Sequence, residues 1–383
     1  MIHRYQKKGA EFRARCQLGR VHLLDDISYA VSGLLDENMG DTCPQSIIDA
    51  LPDYTADEIR EAYDELYELK KAGQLFAQDD YIDVSRYIPV NAPVKALCLH
   101  VAHDCNLRCQ YCFASTGDFG QGRKIMPPEI AKKAIDFVIA RSGVRHNIEV
   151  DFFGGEPLMA WDTVTQTVDY ARSLEEKYNK KFRFTITTNG LLLDEDKRKY
   201  INENMDNCVL SLDGRREVND EFRKTVAGTG SYDTIVPKFK ALVDERDPNL
   251  DYYARGTFTS HNLDFAEDVL SIADAGFDRL SVEPVTADPG CGYDLTEDDL
   301  PKIEAEYDRL TDIMLERKKE GKPFTFFHFM VDLDQGPCVV KRLRGCGAGY
   351  EYVAVTPDGD IYPCHQFVGK DEFKQGSVLD QSF

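Results

Sequence analysis

The chain has 383 residues, with 46 basic and 67 acidic side chains and a formal net charge of −21. That length allows two or three domains with a large core, and 42% hydrophobic against 30% charged residues fits a soluble globular protein. No apolar run is long enough to span a bilayer, residues 1–10 lack the apolar stretch of a secretory signal, and so acidic a surface repels phosphate backbones. Neither a membrane nor nucleic acid is expected as a main partner. Eleven cysteines are too few and too uneven for a disulfide scaffold, so clustered thiols point to metal or redox chemistry.

In chain order, residues 1–90 read as a module of their own. Phe12, Ala14 and Cys16, then Val21 and Leu23, alternate around Leu18-Gly19-Arg20, which predicts a hairpin. Thr55-Ala56-Asp57-Glu58 is a capping box. It opens a helix with Ile59, Ala62, Tyr63, Leu66 and Leu69 at the helical period, and Gly73 is placed to stop it. A second hairpin over 75–84 turns at Asp79-Asp80. Helix followed by hairpin suggests a winged-helix arrangement. The helix carries Asp57, Glu58, Glu61, Asp64, Glu65 and Glu68 against only Arg60, Lys70 and Lys71, which disfavours DNA and favours peptide binding along a strand edge.

A proline-containing linker over 88–93 separates this module from alternating strands and helices. Strands are predicted over 96–102, 147–153, 182–188, 207–212, 252–259 and 279–283, with helices such as 128–141, 161–178 and 232–245 between them. Six such units imply an α/β fold in which a parallel sheet curves into a full or partial barrel, with chemistry at the C-terminal strand ends. A long connecting helix is expected over 294–321, followed by a Gly- and Cys-rich segment. The expected domains are therefore 1–90, 95–322 and 323–383.

Cys105, Cys109 and Cys112, in HDCNLRCQYCF, follow the first barrel strand with C-x3-C-x2-C spacing. Three thiolates on one loop suit a cubane [4Fe–4S] cluster that keeps one iron free. A zinc site needs a fourth thiolate or a histidine, and His103 is near enough in sequence to supply it. The loop, including Tyr111, resembles the signature of radical S-adenosylmethionine (SAM) enzymes. The resemblance implies that the free iron is chelated by SAM and that a 5′-deoxyadenosyl radical takes a hydrogen atom from the substrate. Gly154-Gly155-Glu156-Pro157, ending the second strand, resembles the family's GGEP motif, and Asn189 ends the third strand. Ser211-Leu212-Asp213-Gly214 ends the fourth and resembles the ribose-contacting segment. Arg223, with Arg255 as its rival, falls where related enzymes place an arginine on the SAM carboxylate. The cofactor-binding set implied is thus Tyr111, Gly154, Gly155, Glu156, Asn189, Ser211, Asp213, Arg223 and Arg255.

Cys346, Gly359 and Cys364, with Cys338 upstream, resemble the opening of the SPASM extension, which implies metal ligation to an auxiliary [4Fe–4S] cluster. The family pattern continues with further cysteines beyond the point where this sequence stops, so a truncated extension is expected. Cys98 and Cys208 fall in strand patterns and read as buried packing residues; Cys16 is taken the same way. Near-continuous similarity, from IHRYQ through LHVAHDCNLRCQYCFASTGDFG to GCGAGYEYVAVTPDGDIYPCHQFVG, places the chain nearest the maturases of SCIFF peptides.

That resemblance implies an N-terminal winged-helix-like RiPP recognition element for a precursor leader, a partial (β/α)6 radical SAM barrel and a C-terminal SPASM-type extension. It implies thioether crosslinks from cysteine sulfur to an α-carbon in a cysteine-rich precursor peptide. An electron donor such as flavodoxin or ferredoxin and an anaerobic cytoplasm are the expected setting. The alternative is a formylglycine-forming enzyme like the anaerobic sulfatase maturases, which place a proton-accepting aspartate after the cysteine matching Cys364. Here that position is His365, a candidate proton acceptor. An alternative of another class is a zinc-stabilised peptide-binding adaptor.

Overall fold

The computed structural model describes residues 2–7, 10–15, 21–76, 92–330 and 345–380, with side chains from residue 22 onward. They form two compact units, Met1–Val90 with Val331–Cys346, and Asn91–Met330 with Gly347–Phe383.

In the first unit, β1 (Ile2–Lys7), β2 (Ala10–Arg15) and β3 (Val21–Leu24) make an antiparallel sheet in that order. Phe12 stands opposite Leu23 and Ala14 opposite Val21, the register that their alternation requires. Helices α1 (Asp26–Ser32), α2 (Gln45–Ala50) and α3 (Ala56–Lys71) follow. The capping box forms: the Glu58 amide donates to Thr55 Oγ1, and the Thr55 amide donates to Glu58 Oε2 at 2.9 Å. Ile59, Ala62, Tyr63 and Leu66 of α3 are buried with Val31 and Ile47, so the helical period reads out the packing face. Gly73 has φ +67°, the left-handed conformation suited to ending a helix. The turn at Leu18-Gly19-Arg20, Cys16, the hairpin turn at Asp79-Asp80 and most of the 88–93 linker lie outside the described residues.

The second unit contains β4 (Ala96–His103), β5 (Leu107–Cys109), β6 (Lys124–Ile125), α4 (Pro128–Arg141), β7 (Asn147–Gly154), α5 (Trp161–Tyr178), β8 (Lys181–Thr188) and α6 (Glu195–Asn204). It continues with β9 (Asn207–Ser211), α7 (Arg216–Phe222), β10 (Arg223–Thr225), α8 (Tyr232–Asp244), β11 (Asp251–Phe258), α9 (Phe265–Asp274), β12 (Arg279–Pro284) and α10 (Leu300–Lys319). β4, β7, β8, β9, β11 and β12 lie side by side in chain order, each parallel to its neighbour. This is the partial (β/α)6 barrel. One strand face is apolar: Ile148, Val150, Phe152, Phe182, Phe184 and Ile186 share one core with Ala134, Ile135, Val138 and Val164 of α4 and α5. Intervening residues such as Asp151, Thr185, Thr187, Ser211 and Glu283 are only partly buried. A parallel sheet covered on both faces reads as continuous apolar runs; the alternation here marks a polar second face.

The sheet is open. β13 (Thr325–Phe326) extends it beyond β12. At the other edge β14 (Tyr352–Val355) pairs parallel with β4, followed by β15 (Asp360–Tyr362) and β16 (Gly376–Ser377) in antiparallel sequence. The described strands of the C-terminal segment expected over 323–383 lie at this sheet edge. Its described C-terminal part continues the barrel sheet because β14 satisfies the free edge of β4, while Val331–Cys346 falls in the first unit. The connecting helix also starts later than expected, at Leu300. Before it Thr296 and Asp299 close a capping box around a single 3-10 turn.

Phe152 is fully buried, its ring stacked on Phe184 at 5.8 Å, in the layer between sheet and helices. Phe152→Ala is expected to cost about 3–5 kcal/mol in urea unfolding. Val144→Ala, at a fully exposed position, is expected to stay within about 0.5 kcal/mol. Equal effects would contradict this layer assignment.

Candidate active site

The site begins where two strand ends touch without side chains between them. Past β7, the Gly155 amide donates to Ala102 O at 2.8 Å and the Glu156 amide to Asp104 O at 2.9 Å. A Cβ on Gly154, which has φ +126°, would lie 2.2 Å from Ala102 O; one on Gly155 would lie 2.1 Å from Asp104 O. Only glycine permits this approach. It brings Glu156 up against the loop that carries the three cysteines.

That loop is pinned at several points. Arg108 Nη1 donates to Cys105 O and Leu107 O, each at 2.6 Å. Cys105 Sγ accepts from the Leu107 amide at 3.4 Å and lies 3.6 Å from Asn189 Nδ2, which also donates to Asn106 Oδ1 at 2.8 Å. Cys109 sits on β5, paired antiparallel with β10, where its register partner is Arg223. The Cys112 amide donates back to Cys109 O at 3.2 Å. The three thiols line one cavity of about 270 Å³ at the C-terminal ends of the barrel strands. Burial pushes the Cys105 and Cys109 thiols up to about 12 and raises Cys112. Without a metal they stay protonated, and a metal that binds them must displace those protons.

Among the described residues, no three His, Cys, Asp or Glu side chains close around a single metal ion. His103 does not join the cysteines. It is buried against His100, ring nitrogen to ring nitrogen at 3.2 Å, and packs on Phe119. Burial holds its pKa down at about 4. Among the described residues the zinc reading thus has no fourth ligand.

Glu156 is fully enclosed yet lines the cavity. Its carboxylate accepts from the Leu158 amide at 3.0 Å, Thr188 Oγ1 at 2.8 Å and the Asn189 amide at 2.8 Å. Desolvation nevertheless outweighs these donors and raises its pKa from 4.5 to about 7. A carboxylate so placed is ready for a cationic partner.

Ser211 on β9 and Arg255 on β11 are register partners, and both line the cavity. So do Tyr111, Gly154, Gly155, Asn189 and Arg223. Asp213 differs from the sequence expectation: it is fully buried behind the cavity wall. Its Oδ2 accepts from Tyr111 Oη at 2.6 Å and lies 3.0 Å from Arg223 Nε, while Oδ1 accepts from the Thr257 amide at 3.0 Å. Asp213 is spent on holding Tyr111 and Arg223, whose guanidinium lies 5.5 Å from the Tyr111 ring centre. Among the described residues no hydrogen-bond acceptor engages the Nη groups of Arg223, and the residue lines the cavity.

His365 also reaches the cavity, packed on Phe153 at 4.9 Å and Phe113 at 5.5 Å, and burial holds its pKa down at about 4. Cys364 beside it is half-buried. Cys346 is exposed and belongs to the first unit, and Cys338 lies outside the described residues. Cys98 and Cys208 are buried packing residues; Cys291 is exposed and takes no part in the cavity wall. Sequence reasoning missed Glu283, at the end of β12. It lines the cavity and is bonded to His328, 45 residues further along the chain, which holds its pKa down at about 2. The only sequence signal for it was an acidic residue at a barrel strand end.

The raised pKa of Glu156 has a stability consequence. Between 4.5 and about 7 the native protein keeps a proton that the unfolded chain has lost, so stability falls as pH rises through that window. The unfolding free energy of cofactor-free wild-type protein, minus that of Glu156→Gln, is expected to decline from pH 4.5 to about 7 and level off above it. A flat difference would show Glu156 ionising normally.

Residues 99–253 match the radical SAM superfamily, and residues 346–383 match the SPASM iron–sulfur cluster-binding domain. A cysteine-type anaerobic sulfatase-maturating enzyme of Clostridium novyi is 26% identical over 298 residues, covering 73% of this chain and 75% of the relative. Mycofactocin maturase MftC of Mycobacterium ulcerans is 28% identical over 297 residues, covering 76% and 73%. The solved structure of native anSMEcpe with bound AdoMet superposes with a TM-score of 0.63 at 22% identity, covering 76% of this chain and 79% of that one. Curated relatives are spanned over 40% to 79% of their own length. Residues 99–253 thus carry a radical SAM domain, which implies a [4Fe–4S] cluster and S-adenosylmethionine, followed by a SPASM iron–sulfur cluster-binding segment, and the chain's relatives include a sulfatase-maturating enzyme and a mycofactocin maturase.

Proposed function

We propose that this enzyme forms thioether crosslinks, joining cysteine sulfur to an α-carbon, in a cysteine-rich ribosomal precursor peptide. The observation that carries the reading is one cavity lined jointly by three thiols of a single loop, a buried carboxylate and two arginines. Cys105, Cys109 and Cys112 hold the cluster, and the fit is chemical: three soft donors and glycine backbone at Gly154 and Gly155 that lets a ligand approach. When bound, cluster and SAM together supply the deoxyadenosyl radical that takes a hydrogen atom from the substrate.

The chain's own residues bind and orient. Glu156 and Arg223 offer opposite charges for the amino and carboxylate ends of SAM, with Arg255 as the second cation. Ser211 and Asn189 supply polar contacts, and Tyr111 with Asp213 fixes the Arg223 guanidinium. Cys338, Cys346 and Cys364 contribute auxiliary-cluster ligands. The first unit, residues 1–90, binds the leader along a strand edge. Flavodoxin or ferredoxin is the electron donor, in the cytoplasm of an anaerobe; no helix among the described residues is long and apolar enough to cross a membrane.

Formylglycine formation is the second reading, favoured by the sulfatase-maturating relatives. Against it stands His365, an imidazole at the position where that chemistry uses a carboxylate. Anaerobically reconstituted enzyme, given SAM, reductant and a cysteine-rich precursor, is expected to remove two hydrogens per crosslink and one alkylatable thiol. Replacing Cys105, Cys109 and Cys112 together by alanine is expected to abolish the cluster chromophore and SAM cleavage. A product that carries a carbonyl and no crosslink would decide for the second reading.

A further inference from the structure

Asn189 follows β8 directly and is buried, with 7% of it exposed. Its place is set from three sides. Its backbone amide donates to Glu156 Oε2 at 2.8 Å, and its Oδ1 accepts from the Leu191 amide at 3.1 Å. The turn after it is made by Gly190, at φ +78°, where a Cβ would lie 2.4 Å from the Phe239 ring. An oxygen that accepts from Leu191 leaves Nδ2 as the atom facing the cysteine loop. Nδ2 carries two hydrogens and has two partners there, Asn106 Oδ1 at 2.8 Å and Cys105 Sγ at 3.6 Å. Both hydrogens are thereby spent on the loop.

The sulfur that receives this donor is fixed as well. The Cys105 amide donates to Asp104 Oδ1 at 2.9 Å, and Cys105 O accepts from Arg108 Nη1 at 2.6 Å. Gly117 packs so closely that a Cβ there would lie 2.5 Å from Cys105 Cβ. The Leu107 amide, at 3.4 Å, is a second donor to the same sulfur. The other two thiols are served differently: Cys112 is bonded by the Ala114 amide, and Cys109 has the Arg223 charge beside it. Among the described residues, Asn189 is the one side chain that donates a hydrogen bond to any of the three.

Resting on Cys105, Cys109 and Cys112 as cluster ligands, we propose that Asn189 is a positioning residue that sets the reduction potential of that cluster through its Nδ2–H···Sγ bond to Cys105. The effect is electrostatic. Reduction by flavodoxin or ferredoxin adds one negative charge, which the ligating sulfurs share. A hydrogen bond to such a sulfur favours the more negative state and so raises the potential. Asn189 is shielded from water, where the bond is strongest, and a donor already in place needs no reorganisation when the electron arrives. The same residue is held by Glu156, so the donor to the sulfur and the carboxylate proposed for the SAM amino group belong to one hydrogen-bonded unit.

The test reads the potential as well as turnover. In the anaerobically reconstituted full chain, a redox titration monitored by electron paramagnetic resonance (EPR) follows the cluster whose signal changes when SAM is added. Asn189→Ala is expected to load the cluster but lower its potential. At the wild-type midpoint the ratio of reduced to oxidised cluster should fall about tenfold, a shift of about 59 mV for one electron. Asn106→Ala removes the partner of the other Nδ2 hydrogen and leaves the bond to sulfur, so that ratio should change less than about twofold. Pulsed EPR of reduced wild type, isotopically labelled at its asparagine side-chain nitrogens, is expected to show a labelled nitrogen coupled to the cluster, retained in Asn106→Ala. These spectra decide the matter even where Asn189→Ala loads no cluster. An unshifted potential in Asn189→Ala, or no coupled asparagine nitrogen in wild type, overturns the proposal. An equal shift in Asn106→Ala also overturns it, since Asn189 would then only support the loop. A wild type without an iron–sulfur chromophore would instead remove the ligand assignment, and the proposal with it.

Discussion

Two strand ends lie closer than any side chain allows, and the site is assembled from that contact. With Gly154 and Gly155 against Ala102 and Asp104, the hydrogen-bond ladder of β4 and β7 runs past the sheet into the loops. Glu156 is the first residue after this contact with a side chain to use. It draws in the end of β8 through Thr188 and the Asn189 amide, and Asn189 in turn reaches Asn106 and Cys105. Three strand ends and the cysteine loop are therefore linked through one carboxylate. A methyl group at Gly155 would separate the loop from the sheet, and Glu156 from its donors.

The opposite side of the loop is held differently, by a two-stranded ladder and a buried charge. β5 pairs with β10 so that Cys109 faces Arg223, and Asp213 secures Arg223 and Tyr111 from behind. Burying Asp213 with no partner would cost several kcal/mol; with a guanidinium, a phenol and an amide it is matched. The result is a guanidinium held in place next to the residues proposed to hold the cluster and the carboxylate of SAM. Arg255 adds to the same wall.

The barrel was legible because its signals are local and repeated. Apolar residues alternate along β7 and β8 with the period of a strand, and α4 and α5 carry the helical period, so Pro128–Arg141 and Trp161–Tyr178 form as expected. The elements that escaped are the ones that tertiary pairing creates: β5, β10 and β13 are two or three residues long and exist because a partner edge is present. Capping chemistry moved the start of α10, since Thr296 and Asp299 form a turn of their own before Leu300. Asp213 was misread for a geometric reason. Ser211 is the last residue of β9 and faces the cavity, whereas two residues later the chain has left the strand and turned behind it. Glu283 and His328 were illegible as a pair because only the fold brings them together.

The open edge of the sheet explains how a cysteine segment far along the chain reaches the cavity. A closed barrel would cover β4 on both sides. Here β4 offers its free edge to β14, with Tyr352 opposite Ala96 and Val355 opposite Leu99, and β15 turns back along β14 to lead into Cys364 and His365. His365 then seats between Phe113 and Phe153, one from the cysteine loop and one from the end of β7. Parallel pairing carries β14 along β4 toward the C-terminal strand ends, where residues 356–359 turn, and β15 then runs back antiparallel along the outer edge, bringing Cys364 beside the strands rather than past their ends. For an enzyme proposed to bring a carbon radical and a thiolate together, the edge pairing of β14 is what lets this later segment add His365 and Gln366 to the cavity wall.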